Sequence, residues 1–156
     1  MTEDRTMLAR LVGSGDRIAL VTAPVLVAAV VLQVAFPSVF AVGGPPVPLA
    51  VISVVLLVPG LVLWLWSVVL ILRHVPRGEL ITHGPYALVR HPLYTSVALL
   101  VLPWAGFLLD TWLGAVVGLV LYAATRRYAP AEEVALSRAF GPRWDAYLRT
   151  VRFPRV

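Results

Sequence analysis

Apolar residues in this chain fall into four long runs, separated by short segments that hold nearly all the charge. The first, Ile18 to Phe36, opens directly after Arg17 and contains no charged residue. The second, about Leu49 to Leu72, has 24 residues and would span roughly 36 Å as a helix, enough to cross a bilayer with some tilt. Thr95 to Leu109 and Thr111 to Thr125 follow, parted by Asp110 and 15 residues each. As helices they reach roughly 22 Å, short of the ~30 Å hydrocarbon core. They predict a helical hairpin that just reaches across, with a re-entrant pair as the alternative. Pro24 and the Pro59-Gly60 pair predict bends, which a bilayer helix tolerates where neighbours satisfy the freed carbonyl. Pro37 to Pro48, with four prolines, two glycines and no charge, reads as a stiff external connection. A signal peptide is the rival reading of the first run. That run is longer than the usual ~7–15-residue apolar region, and no small-residue cleavage site follows it.

From Tyr128 onward the pattern becomes charged and amphipathic. Ala131 to Ala139 predicts one helix. Pro142 suits the first turn of another, where its missing N–H costs nothing, and that helix ends near Thr150. Phe140, Trp144, Tyr147 and Val151 recur at spacings of four, three and four, one apolar stripe. Two readings fit the stripe: a helix lying on the membrane surface, or a lid folded back over the segment between the second and third runs. The pattern as a whole predicts an all-α integral membrane helical bundle of about four transmembrane helices with a cytoplasmic amphipathic C-terminal helical arm. The single domain, 1–156, divides into a cytoplasmic lead (1–16), two transmembrane helices (17–72), a cytoplasmic loop (73–94), a hairpin (95–127) and the arm (128–156).

Composition supports this picture. The chain is 60% hydrophobic and 13% charged, with a mean hydropathy of +0.87, in the range of membrane proteins. It has no cysteine, which excludes disulfides, thiolate metal sites and a cysteine nucleophile. All 13 basic residues are arginines. Arg5, Arg10 and Arg17 precede the first run, Arg73, Arg77 and Arg90 separate the second from the third, and the other seven follow the fourth. The remaining two connections have none. This alternation is the positive-inside pattern, placing both termini and the middle loop in the cytoplasm of a multi-pass inner or plasma membrane protein. It argues against nucleic acid as the partner of a chain with pI 10.4; the bilayer itself is the expected partner.

The polar groups concentrate between Gly78 and Tyr94, so chemistry is sought there first. His74, His83 and His91 share no helical face, because Pro85 and Pro92 intervene, and no carboxylate pair completes a metal site. Ser96 lacks the surroundings of a nucleophile elbow, and Gly78 and Gly84 are too isolated to form a phosphate cradle. A binding loop remains. Gly84-Pro85 makes a turn, Arg90 offers a planar fork for a carboxylate, and Tyr86 and Tyr94 present faces for a base or a cation. Glu132 and Glu133 return to the same surface from the arm. Such groups suit a ligand with an adenine, a carboxylate and positive charge. A loop of headgroup anchors is the plainer account of the same residues.

Four blocks in this half of the chain carry a resemblance: LITHGPYALVRHPLY from Leu80 to Tyr94, EEVAL from Glu132, FGPRWDAY from Phe140 and VRFP from Val151. Together they resemble the isoprenylcysteine carboxyl methyltransferase family, which is close to the phospholipid N-methyltransferases. The resemblance implies an integral membrane enzyme using S-adenosylmethionine. By position it assigns Glu79, Leu80, Ile81, His83, Gly84, Tyr86, His91, Pro92, Leu93, Tyr94 and Glu132 to the cofactor, and Arg90, Arg127 and Glu132 to catalysis. No metal is implied. The methyl acceptor would be lipophilic or small, bearing a carboxylate, thiol or amine. The chain departs from the family pattern in Ser96, where a glycine is common, in Glu79, and in Tyr128-Ala-Pro, which displaces the arginine before the glutamate pair. Two alternatives stand beside this reading: a membrane NAD(P)H-dependent reductase, and a non-catalytic membrane protein with a degenerate site.

Overall fold

The computed structural model describes residues 2–43 and 47–153, with the side chains of residues 2–14 left aside. The middle of the proline-rich connection, the side chains of Arg5 and Arg10 and the end of the VRFP block lie outside the described residues. The described residues are helical throughout, joined by short turns, with one isolated bridge between Val89 and Phe153.

Helix α1 (Thr2–Ala35) runs through Pro24 without a break. After a single turn, α2 (Pro37–Phe40), comes α3 (Val47–His74), with Pro59 inside it. Two 3₁₀ turns, Val75–Arg77 and Gly84–Ala87, shape the central loop. Helix α4 (Pro92–Ser96) then passes through a wide π turn, Val97–Val101, into α5 (Leu102–Leu108). Pro103 explains the wide turn. A proline ring collides with the carbonyl four residues back, and the chain relieves this by letting Leu102 N–H reach Val97 O instead.

Helix α6 (Leu113–Phe140) corrects the sequence reading. The expected hairpin arm and the expected Ala131–Ala139 helix are one rod of 28 residues, with Pro130 inside it. Proline removes one bond to the carbonyl four residues earlier, but Pro130 and Arg126 are both exposed, so that carbonyl stays on the outer face. The rod is roughly 42 Å long, and its second half carries the glutamate pair beyond the apolar part. Helix α7 (Pro142–Thr150) follows a turn at Gly141, with proline in its first turn as expected.

In the bundle, α1 lies along α6, α6 packs on the α4–α5 unit, and α3 packs on the other side of that unit. Glycines allow the closest crossings: a Cβ at Gly60 would lie 2.6 Å from Leu100 Cβ, and Gly106 and Gly114 back onto each other. At the end remote from the central loop, Val42 N–H donates to Asp110 Oδ1 at 3.1 Å, and Phe40 and Trp112 are in ring contact at 5.5 Å.

Two stretches, Gly15–Ala35 and Val47–Arg77, are long and apolar enough to cross a membrane. In the apolar 18-residue window of each, only 6% and 17% is buried, unlike the core helix of a soluble protein. Leu20, Val34 and Val47 are among their most exposed side chains, as expected of surfaces solvated by lipid. Pro92–Leu108 is apolar but shorter, and α6 spends its second half on charged residues. Of about four crossings expected, two therefore meet the length and composition of a span.

Candidate functional site

The central loop, the middle of α1 at Gly15 and Asp16, the end of α3, the second half of α6 and α7 enclose a cavity of about 540 Å³, in the ~300–1,000 Å³ range of small-molecule sites. The turn at Gly78, with φ +66, lets the chain leave α3 and lay Glu79, Leu80 and Ile81 along the wall. The 3₁₀ turn at Gly84–Ala87 then brings in Tyr86, and α4 presents Leu93 and Tyr94 beside Arg90 and His91. Helix α6 adds Glu132 and Leu136, and α7 adds Trp144 and Tyr147.

The C-terminal arm is a lid. Trp144, Tyr147 and Val151 form a buried cluster with Leu80, Leu136 and Phe140 packed against it, so the predicted stripe buries itself on the loop. Three bonds tie it down: the Tyr147 hydroxyl donates to Tyr86 O at 2.9 Å, Phe153 N–H to Leu88 O at 2.8 Å and Arg152 N–H to Ala87 O at 3.2 Å. Of the two readings of the stripe, a helix on the membrane surface and a lid on the loop, the packing selects the lid.

Glu133, which lies just behind the wall, organises two lining residues. One oxygen accepts from Arg90 Nη1 at 2.9 Å and the other pairs with His91 Nε2 at 3.2 Å. A carboxylate can only accept here, so the His91 proton sits on Nε2. Burial alone would raise the Glu133 carboxyl; the hydrogen bonds from His91 and Arg90 and their charges outweigh it and hold it below the ordinary carboxylate range. Burial pushes the Tyr147 hydroxyl up to about 12, with Arg90 pulling down and Glu133 pushing up. Burial, then the Glu132 charge, raises Tyr86 well above the ordinary phenol value. Both phenols are therefore neutral donors at ordinary pH.

Of the residues predicted from sequence, Glu79, Leu80, Ile81, Tyr86, Arg90, His91, Leu93, Tyr94 and Glu132 come together on the wall. His83, Gly84, Pro92 and Arg127 are not among the lining residues. The His83 ring sits edge-on to His74 at 5.2 Å. Gly84 backs onto the Trp66 indole, where a Cβ would lie 3.1 Å from two ring carbons. Pro92 is buried at the start of α4. Arg127 is exposed, with its guanidinium 5.7 Å from the Tyr128 ring centroid. Sequence reasoning missed Gly15 and Asp16 of α1, Ile71 of α3 and the clamping role of Glu133. A signal for Asp16 existed, an acid two residues before an apolar run. Nothing local could show that α1 returns to this loop.

Arg90 also bears on which ligand fits. Its Nε is buried with no hydrogen-bond partner, and the side chain lines the cavity. A buried N–H donor without an acceptor costs about 1–3 kcal/mol, while the rest of the guanidinium remains tied to Glu133. Phenol and indole faces, acids and the arginine side chains on the wall suit a zwitterionic ligand with an aromatic base.

Fold and site thus define a helical bundle with two apolar helices of membrane-crossing length and a small-molecule cavity at one end. The family model of the isoprenylcysteine carboxyl methyltransferases matches residues 49–138, more than half of the chain, and the chain belongs to that family. It is a membrane methyltransferase. No curated protein and no solved structure matches it. The matched region ends before α7 and begins after α1, so two walls of the cavity lie outside it.

Proposed function

We propose that the cavity binds S-adenosylmethionine and that the protein transfers its methyl group to a lipophilic or small acceptor. The observation that carries this reading is that Tyr86, His91 and Tyr94 of the central loop and Glu132 of α6 line one cavity beneath α7. When bound, the cofactor supplies an electrophilic methyl group on a sulfonium and leaves as a neutral thioether. In this reading Tyr86 and Tyr94 contact the adenine or the sulfonium, Arg90 donates to the carboxylate, and Glu132 and Glu79 face the positive or hydroxyl-bearing parts. Glu133 keeps Arg90 and His91 in place, and the apolar lid of Trp144 and Tyr147 excludes water. No covalent intermediate is needed. Holding the acceptor in line is worth much of the rate, since orientation alone can supply about 7–11 kcal/mol.

The residues at this end include Arg77 and Arg90, with Arg73, Arg126 and Arg127 on the elements that frame it. By the positive-inside rule the cavity faces the cytoplasm, with both termini on that side and the bundle crossing the inner or plasma membrane more than once. Family membership weighs against the reductase alternative. The test is methyl transfer from radiolabelled S-adenosylmethionine to membrane extract, with the product identified by mass. A labelled lipid or small molecule supports the proposal; no label above a His91→Ala control opposes it.

A further inference from the structure

The arm that closes the cavity is fastened at the level of the membrane surface. The 3₁₀ turn Gly84–Ala87 does not rise away from the bundle; it lies against α3. A Cβ on Gly84 would meet two carbons of the Trp66 indole at 3.1 Å and Leu70 at 3.3 Å. Trp66 stands seven residues before Arg73, so roughly 10 Å deeper along the helix, inside the apolar stretch Val47–Arg77. A headgroup layer is roughly 5–8 Å thick. With Arg73 among the headgroups, the turn sits near the boundary between headgroups and hydrocarbon.

The last described residues of the arm reach this turn. Arg152 N–H donates to Ala87 O and Phe153 N–H to Leu88 O, and Val89 pairs with Phe153 as a bridge. These backbone groups are satisfied, yet the side chains beside them are open: Leu88 is 42% exposed and Phe153 50%, with Trp66 of the adjoining α3 surface at 49%. Basic groups rim them. The Arg152 guanidinium lies 5.7 Å from the centroid of the Phe153 ring, and Arg143 and Arg149 are exposed on α7, against one acid there, Asp145. Exposed apolar side chains rimmed by arginine at headgroup depth match an anionic lipid surface. The ring and the aliphatic carbons enter the interface while the guanidinium groups stay at the phosphates.

We propose that Leu88 and Phe153, with Arg149 and Arg152 beside them, dock the C-terminal arm onto the anionic headgroups of the bilayer that α3 crosses, so that membrane charge sets how firmly the lid is closed. Each arginine near an anionic surface favours the docked arm by about fivefold, an effect that decays within a Debye length, ~8 Å at physiological salt. Arg152 and Phe153 follow directly on Val151, which is buried with Trp144 and Tyr147. Holding them at the surface therefore also holds α7 over the cavity. On an uncharged bilayer the hydrogen bonds and the buried cluster keep the arm in place, but it opens more often. The docking does not depend on which ligand the cavity takes.

The test is amide hydrogen exchange of the full chain in nanodiscs of phosphatidylcholine, alone or with about one-third phosphatidylglycerol, an anionic lipid. The Arg152 and Phe153 amides report closure, since the loop holds each of them. The Gly141 amide, bonded to Ser137 O, reports general stability. Expected is exchange at Arg152 and Phe153 about fivefold or more slower on the anionic bilayer, with Gly141 unchanged within about twofold. The difference should collapse as salt rises from about 0.05 M to about 0.5 M. The double variant Arg149→Gln with Arg152→Gln, both at exposed positions, should remove it as well. Equal exchange on the two bilayers, a difference that persists in the double variant, or an equal change at Gly141 overturns the proposal. So does the same protection produced by soluble phosphate added to neutral nanodiscs, which would mark a small-anion site instead of a docked surface.

Discussion

The Tyr147 hydroxyl donates a 2.9 Å hydrogen bond to the backbone carbonyl of Tyr86, fastening α7 to the loop it covers. The donor and the acceptor residue both line the cavity, so this contact, one of three hydrogen bonds that hold the arm, couples its closure to the shape of the site. Tyr147→Phe keeps the ring in its buried cluster and removes only the donor. The expected loss is about 1 kcal/mol of stability, read by thermal unfolding in detergent, with a several-fold weaker affinity for S-adenosylhomocysteine.

Glu133 tests whether Arg90 and His91 are held or merely adjacent. The clamp is about one-quarter exposed on the Glu133 and Arg90 sides, so screening discounts it. Glu133→Gln should cost about 1–2 kcal/mol. S-adenosylhomocysteine affinity should fall about tenfold, equal to ~1.4 kcal/mol, because two lining groups lose their orientation together. Unfolding and calorimetric titration of the same preparation check both numbers.

The same carboxylate sets a pH dependence. Its value in the folded chain lies below the ordinary 4.5, so the stability it contributes is complete above the unfolded value and is lost as pH falls through the folded one. The unfolding midpoint should hold from about pH 7 to 5 and drop below about 4.5. In Glu133→Gln the drop should be smaller.

Close helix contacts make a different prediction. At Gly60 an added Cβ would sit 2.6 Å from Leu100 Cβ, with backbone behind it, so Gly60→Val must part α3 from the π turn. A loss of about 1–3 kcal/mol is expected. Arg127→Ala, at an exposed side chain outside the cavity, should leave both stability and S-adenosylhomocysteine affinity unchanged within about twofold, which a titration checks.

Much of this was legible in the sequence because two of its signals are local. Apolar run length placed α1 and α3, and the spacing of Trp144, Tyr147 and Val151 identified a helix with a face to bury. The loop from Glu79 to Tyr94 announced itself by holding polar groups in a chain that has few. What escaped was long-range. The sequence reading ends the apolar run at Thr125 and begins a new helix at Ala131 because the pattern turns charged from Tyr128, whereas one helix, Leu113–Phe140, carries both stretches. Asp16 reaches the site only because α1 lies along α6, and Arg127 misses it because the helix phase at that position points outward. Neither the partner of a helix nor its final rotation is written in its own residues.

The central claim is that Tyr94, His91 and Glu132 together hold an adenosyl cofactor. Calorimetric titration of the detergent-purified chain with S-adenosylhomocysteine tests it most directly, in the native sequence and in His91→Ala and Glu132→Ala variants shown by circular dichroism to be folded. The account predicts saturable one-to-one binding at micromolar affinity, weakened about tenfold or more in each variant. No binding to the native chain, or equal affinity in all three, would contradict it.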